Sequence, residues 1–149
     1  MKNIDAFIEA WVGKNAMSPQ SADDITQLES QMGCILPNAY KYLLSTYGLV
    51  RSPNVMSKTI DLDTKLGQVH DFLSLDDVAS LSSLYEMSGM EKGHILFASD
   101  ASGNMFCFKL ADCLVEQDDA EVWFFDRSAF SVEKVSDSFL QWLQAFNKN

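Results

Sequence analysis

The stretch ITQLESQMGCILPNAYKYLLSTYG, residues 25–48, specifies two short helices separated by a glycine. Ser21 lies just before the first helix, and Asp24 follows it by three residues, which is the spacing of an N-terminal cap. One face of this helix is apolar and consists of Ile25, Leu28 and Met32. Gly33 then supplies the left-handed conformation that commonly ends a helix. These local signals predict the first helix and both of its ends.

Pro37 opens the second helix, because its fixed φ and its missing N–H suit the first helical turn. Apolar side chains follow at positions i, i+3, i+4 and i+7, and they are Tyr40, Leu43, Leu44 and Tyr47. Gly48 ends the run. The stripe predicts that this helix packs against the core of the domain.

Three further amphipathic helices are predicted from apolar residues at helical spacing. One follows Asn3, one begins at Leu75 and finishes near Gly89, and one is started by Ser136 or Asp137. Their apolar stripes are Ile4, Phe7, Ile8 and Trp11 in the first, Val78, Leu81, Leu84 and Tyr85 in the second, and Phe139, Trp142, Leu143 and Phe146 in the third. The first stripe is expected to pack on the core, and the last one is suited to cover a face of a sheet.

The predicted strands are short runs of apolar and aromatic residues, at 68–74, 95–98, 105–110, 121–126 and 130–135. The turn at 99–104 joins two of them into a hairpin, and 68–74 is expected at a sheet edge. Residues 50–66 are predicted to form one short strand and a long loop. Together these elements predict an α+β fold, with an antiparallel sheet of about four to six strands and helices packed at the N-terminus, in the middle and at the C-terminus.

Three blocks of the sequence resemble the SMI1/KNR4 (SUKH) superfamily. The first is residues 25–48, in which Leu28-Glu29, Gly33, Leu36-Pro37 and Gly48 match the N-terminal signature of the family. The second is HILFASDASGNMFCFKL, residues 94–110, and the third is EVWFFD, residues 121–126, followed by VSDSFLQWL, residues 135–143. The blocks occur in the family's order, and the resemblance implies the same α+β fold.

Length and composition predict one soluble domain over residues 1–149. The apolar fraction is 47% and the charged fraction is 21%, which are ordinary values for a globular protein. No uninterrupted apolar run reaches the ~18 residues of a membrane helix. The charged start Met-Lys-Asn-Ile-Asp is unlike a secretion signal, so we expect a cytoplasmic protein without membrane contact.

The net charge of −10 is distributed unevenly along the chain. Residues 1–75 carry six basic and eight acidic side chains, whereas residues 76–149 carry five basic and thirteen acidic ones. A field of one sign speeds association with a basic partner and repels nucleic-acid phosphates. The charge therefore argues against direct binding to DNA or RNA.

Residues with catalytic or metal-binding potential are few. Cys34, Cys107 and Cys113 are odd in number and lack the paired spacing of a zinc site, so no disulfide framework or metal cluster is expected. Cys107 is predicted to lie in the core, whereas Cys113 could be a surface thiol. His70 and His94 have no nucleophile or ligand spacing around them and are interpreted as structural or surface residues. We therefore predict no catalytic residue, no metal and no cofactor.

Two residues of the resembling blocks are interpreted as structural. Glu29 follows the apolar residue Leu28 and is expected to accept hydrogen bonds from nearby backbone. Gly103 is the only glycine in the 99–104 turn, where a positive φ is the usual reason for glycine.

An acidic run at residues 111–126 contains no Lys or Arg. Two interpretations remain open for it: a solvated loop that keeps the protein soluble, or a partner-binding surface presented by two apolar strands. The candidate partner-binding residues are Asp112, Glu116, Asp118, Asp119 and Glu121. Asp126, at the end of the run, lies in a predicted strand.

Members of the resembling family are commonly bacterial immunity proteins. The resemblance thus implies a protein that binds a cognate toxin, often a basic nuclease, and neutralises it without chemistry of its own. We expect a monomer or weak dimer. The alternative is a regulatory or scaffold module like the family's fungal members, whose long disordered flanks have almost no counterpart here. A third alternative, an enzyme, would require a polar pocket with strongly perturbed carboxylates.

Overall fold

The computed structural model describes residues 2–7, 19–48, 69–100 and 103–144. In this part of the chain, one sheet contains five strands in the order β1-β2-β3-β4-β5, with every neighbouring pair antiparallel. The strands are β1 Val69–Phe72, β2 His94–Asp100, β3 Met105–Lys109, β4 Val122–Asp126 and β5 Ser131–Ser136. The predicted antiparallel sheet and the position of β1 at its edge are confirmed.

Five α-helices and one 3₁₀ helix lie within the described residues. They are α1 Lys2–Phe7, α2 Ala22–Met32, α3 Asn38–Thr46, α4 Leu75–Met87, the 3₁₀ helix Leu110–Cys113 and α5 Phe139–Gln144. Helices thus occur before, between and after the strands, which confirms the predicted α+β class.

An aromatic core fills one face of the sheet. Phe97 of β2 stacks on Phe108 of β3 with ring centroids 4.5 Å apart, and Tyr40 of α3 meets both rings edge-on or tilted. Phe139 and Trp142 of α5 complete the cluster against Phe97. Because all these rings are almost completely buried, they fix α3 and α5 on this face.

Helix α4 covers the opposite face. Tyr85 meets Phe125 of β4 edge-on at 5.9 Å, and the Ser82 hydroxyl accepts a hydrogen bond from the Leu96 N–H of β2 at 3.0 Å. Strands β2, β3 and β4 are therefore covered on both faces, which explains their nearly continuous apolar sequence.

The two helices of the opening stretch form as predicted. The Ser21 hydroxyl accepts the Asp24 N–H at 3.1 Å, and Gly33 has a φ of 67°. Helix α3 begins directly after Pro37, and its apolar stripe is buried except for Tyr47, which is half-buried. Local signals thus predicted the positions of both helices.

Four expectations were wrong. Helix α1 begins at Lys2 and therefore does not follow Asn3. Leu84 is 51% exposed, and the polar Ser82 lies buried on the sheet-facing side of α4, because its hydroxyl bonds with Leu96 and with the Val78 carbonyl. Helix α5 begins at Phe139, and the Ser138 hydroxyl accepts the Gln141 N–H at 3.1 Å, so neither Ser136 nor Asp137 caps it. Cys113 is buried and is not a surface thiol.

Some predictions concern residues outside the described ranges. These predictions concern the first-helix residues Ile8 and Trp11, the strand and loop at 50–66, the middle of the 99–104 turn and Phe146. None of the helices in the described ranges is long and apolar enough to cross a bilayer.

Candidate partner-binding site

Residues 110–121 connect β3 to β4 and form the acidic loop. The loop begins with the 3₁₀ helix, whose Leu110 N–H donates to the Gly93 carbonyl at 2.8 Å, and Cys113 is completely buried beneath it. Burial raises the pKa of the Cys113 thiol to about 12 and that of Cys34 to about 11, so both remain protonated at neutral pH. The cysteines thus serve as apolar packing residues and not as nucleophiles.

The backbone of the acidic loop is bonded to the opening stretch. The Ile35 N–H donates to the Cys113 carbonyl at 2.7 Å. At the start of α3, the Asn38 and Ala39 N–H groups donate to the carbonyls of Gln117 and Asp118 at 3.0 and 2.9 Å. Since the first N–H groups of a helix have no partner within it, the loop caps α3 with its main chain. The same contacts attach the loop to the opening stretch.

The Gln117 side chain strengthens this attachment from inside the loop. Its Nε2 donates to the Asp112 carbonyl at 2.8 Å and to the Ile35 carbonyl at 3.3 Å. One side chain therefore closes the loop on itself and ties it to the segment between α2 and α3.

Glu29 of α2 also binds the segment between α2 and α3. Its Oε2 accepts the Leu36 N–H at 2.8 Å and lies 3.3 Å from the Lys41 ammonium. The expectation that Glu29 accepts a backbone hydrogen bond is confirmed. Gly103, the other residue interpreted as structural, has a φ of 86°, and the positive φ expected of it is also confirmed.

The five candidate carboxylates occupy different environments. Asp112, Glu116 and Asp118 are exposed, although Asp118 Oδ1 accepts the Asn38 side-chain N–H at 3.0 Å. Asp119 and Glu121 are half-buried. The structure therefore does not present the five as one uniform patch.

Asp119 is engaged within the fold. Its Oδ1 accepts the N–H of Phe139 at 2.7 Å and that of Ala120 at 2.8 Å, while Oδ2 accepts the Leu140 N–H at 3.2 Å. A carboxylate at the first N–H groups of a helix satisfies their hydrogen bonds and complements the helix dipole. Asp119 thus caps α5 across the fold.

Glu121 is paired with a cation. It lies 3.0 Å from Lys134 of β5, which is also 3.0 Å from Asp137. Hydrogen bonds to Asp137 and then to Glu121 raise the pKa of Lys134. Part of the charge at this end of the loop is therefore neutralised, and the net negative charge concentrates near Asp112, Glu116 and Asp118.

Sequence reasoning missed an exposed apolar pair within the loop. Leu114 is 60% exposed and Val115 is 69% exposed, directly between Asp112 and Glu116. A usable signal existed, because these two residues stand in a run that has neither strand alternation nor helical spacing, and such a run lies at the surface. The loop thus presents apolar side chains surrounded by carboxylates.

We next consider the residues of the described ranges that could bind a metal ion or take part in catalysis. No three His, Cys, Asp or Glu side chains come together there as they would around a metal ion. His94 is buried, with Nδ1 3.1 Å from the Glu91 carbonyl, and His70 lies in β1. The nearest cation before the loop, Lys109, lies over the Trp123 ring, 3.7 Å from its centroid.

Fold and surface together define an α+β domain that presents a fixed acidic loop with apolar side chains at its surface. The chain belongs to the SMI1/KNR4 family (SUKH-1), whose family model matches residues 19–145. No individual curated protein gave a significant match to the chain. Membership in this family is consistent with an immunity-type protein that acts through a protein partner.

Proposed function

We propose that this protein is an immunity protein that binds a cognate bacterial toxin and neutralises it stoichiometrically, without chemistry of its own. The observation that carries the proposal is the acidic loop, in which Leu114 and Val115 are exposed on a backbone that is hydrogen-bonded to α3. Family membership supports the class of protein that we propose, and the exposed side chains of the loop support it as the binding surface.

The exposed pair suits the centre of an interface. Complete burial of an exposed Leu or Val side chain contributes about 1.5–3 kcal/mol, and well over half of each side chain is still available for such burial. A few buried anchors usually carry most of the binding energy of an interface. Because the loop backbone is already fixed, little conformational entropy is lost when it binds.

The surrounding carboxylates suit a basic toxin domain, such as that of a nuclease. Asp112, Glu116 and Asp118 are exposed, and no Lys or Arg occurs in residues 110–126. A nuclease must attract phosphates, so its active face carries the opposite charge. Electrostatic attraction would accelerate association and favour the correct orientation, whereas the apolar anchors would slow dissociation.

The test begins with affinity capture from the native host at physiological salt. Each captured protein is then expressed in a second host, alone and together with this chain. A captured protein that stops growth alone, and permits growth when the chain is present, supports the immunity function. A bound partner without toxicity would instead favour a regulatory or scaffold module.

Charge reversal tests the contribution of the loop with a matched control. Glu116→Lys and Glu91→Lys make the same change in net charge at two exposed positions, one inside and one outside the acidic loop. We expect Glu116→Lys to slow association with the captured toxin several-fold at low salt and to weaken its salt dependence, with a smaller effect from Glu91→Lys. Equal effects would place the charge contribution outside the loop.

The anchors are tested in the same way. Val115→Ser and Met87→Ser replace two strongly exposed apolar side chains with a polar hydroxymethyl group, and only Val115 lies in the loop. We expect Val115→Ser to speed dissociation of the toxin about tenfold or more, and Met87→Ser to leave it within twofold. Unchanged dissociation in Val115→Ser would contradict the loop as the contact surface while leaving growth rescue intact.

A further inference from the structure

The large apolar side chains that are exposed among the described residues fall into two groups. Leu114 and Val115 form the first group, in the acidic loop. Leu84, Met87 and Phe130 form the second group, which we call the α4 patch, and they are 51%, 82% and 61% exposed. The proposed toxin surface uses only the first group. The α4 patch is therefore a second surface with apolar side chains to bury.

Phe130 is positioned beside the end of α4 by the turn between β4 and β5. Its φ of 51° lies in the left-handed region, which a bulky side chain rarely adopts. The Asp126 carboxylate accepts the N–H groups of two residues of this turn. The ring lies against Gly89, where a Cβ would come within 3.3 Å of Phe130 Cε1. Because Gly89 is two residues beyond Met87, and Leu84 lies one helical turn before Met87, the three apolar side chains surround the C-terminal end of α4.

The charges around the α4 patch are of both signs, unlike those of the acidic loop. Glu91 and Lys92 follow Gly89 closely, and Arg127 lies three residues before Phe130. These three charged side chains are exposed, and they form no ion pair within the described ranges. Residues 110–121 of the loop, in contrast, contain five acidic side chains and no basic one.

This difference in charge determines which of the two surfaces can meet its own copy. Two copies related by a two-fold axis present the same surface to each other, so their contact requires cations and anions within one patch. Two acidic loops would repel each other. At the α4 patch, the cations Lys92 and Arg127 of one copy can approach Glu91 of the other.

We propose that the α4 patch is the contact surface between two copies of this chain in a weak, reversible dimer. Met87 and Phe130 of each copy pack around the two-fold axis, and the charges of both signs surround them. The affinity is low, because three side chains bury much less than the about 800 Å² per partner that a stable interface requires. The net charge of −10 on each copy lowers it further.

Salt distinguishes this contact from the proposed toxin contact. The long-range force between two copies is repulsive, and added salt screens it. We therefore expect dimerisation to strengthen as the salt concentration rises, whereas association with a basic toxin slows. The two surfaces share no residue, so failure of the dimer leaves the immunity function untouched, and the reverse also holds.

The experiment is sedimentation equilibrium of the free chain at low and high salt, at concentrations from about 0.02 to about 1 mM. We expect a monomer–dimer equilibrium with a Kd on the order of 0.1–1 mM. Phe130→Gly should weaken it at least about fivefold, and it should remain folded because glycine suits the positive φ. Met87→Ser changes an exposed helix residue and should weaken it at least about threefold. Val115→Ser is the matched control in the acidic loop, and its dimerisation should stay within about twofold of wild type.

Four results would overturn the proposal. The first is a chain that stays monomeric at the highest concentration and at high salt. The second is dimerisation that Phe130→Gly and Met87→Ser leave unchanged. The third is equal weakening by Val115→Ser, which would place the contact in the acidic loop, and the fourth is dimerisation that salt weakens. If the chain is monomeric and Phe130→Gly abolishes capture of a host protein, the α4 patch belongs to that protein and not to a second copy.

Discussion

The opening stretch and the acidic loop pack against each other, yet they use their polar groups in opposite ways. Glu29 of the opening stretch and Ser21, which caps its first helix, accept hydrogen bonds from the protein's own backbone. In the loop, the backbone of its inner edge is bonded to Ile35, Asn38 and Ala39, while its outer edge exposes carboxylates and an apolar pair. The difference shows that the polar groups of one region can be fully engaged in the fold while those of its neighbour remain available for a partner.

The largest expected effect separates two leucines of these regions. Leu36 is completely buried and Leu114 is 60% exposed. Leu36→Ala should lower the free energy of unfolding by about 2–5 kcal/mol, because it removes buried methyl groups and leaves a cavity. Leu114→Ala should change it by less than about 0.5 kcal/mol. Urea unfolding followed by fluorescence measures both, and similar losses in the two variants would contradict the division between a folding region and a binding region.

A feature of the fold could be predicted from the sequence when the residues that determine it lie close together along the chain. The ends of α2 and the start of α3 could be predicted because Ser21, Gly33 and Pro37 act on residues within a few positions of themselves. The same holds for Glu29, whose hydrogen bond reaches only to Leu36, seven residues along the chain.

What could not be predicted depends on contacts between distant segments. Asp119 caps a helix that begins twenty residues later, and nothing in its own neighbourhood indicates this. Ser82 replaces an expected apolar residue because Leu96 of another element needs a partner. The exposure of Leu114 and Val115 also depends on tertiary packing, because Cys113, the residue before them, is the one that is buried.

The second largest effect is expected when the internal hydrogen bond of the opening stretch is removed by substitution. Glu29→Ala leaves the buried Leu36 N–H without its acceptor and breaks the ion pair with Lys41, so unfolding should become easier by about 1–3 kcal/mol. Glu29→Gln retains an acceptor oxygen and should cost less than half as much. Chemical denaturation of both variants measures these changes in the free energy of unfolding. Equal losses would mean that the charge, and not the hydrogen bond, is what the segment requires.

The third prediction compares two aspartates within the acidic loop. Asp119→Ala removes the cap of α5 and should lower the free energy of unfolding by about 1–2 kcal/mol. Asp112→Ala, at an exposed position, should change it by less than about 0.5 kcal/mol. Thermal and urea unfolding give the comparison. If Asp112 proved as important as Asp119, the outer edge of the loop would belong to the folding region too.

The smallest expected effect concerns pH and the carboxylate that ties α1 to α3. Asp5 Oδ1 accepts the hydroxyl hydrogens of Tyr47 at 2.6 Å and Tyr42 at 2.7 Å. These bonds, first that of Tyr47, lower the pKa of Asp5 below its usual 3.8, and the carboxylate in turn raises the pKa of Tyr47 to about 12. Because the folded pKa is lowered, the stabilisation is fully present above the unfolded pKa and is lost as pH falls through the folded value.

Asp5→Asn should therefore destabilise the protein at pH 7 by at most about 1 kcal/mol, since solvent screens a carboxylate at this surface. The difference from wild type should shrink as the pH is lowered from about 4 towards 2, where the wild-type carboxylate is also neutral. Asp112→Asn provides the control, because its exposed carboxylate accepts no such pair of hydroxyls in the described structure, and its effect should not vary over this range. Urea unfolding of the three proteins across the pH series distinguishes these behaviours. An Asp5→Asn difference that persists at pH 2 would show that the ring packing of Tyr42 and Tyr47, and not the charge they share, attaches α1 to the opening stretch.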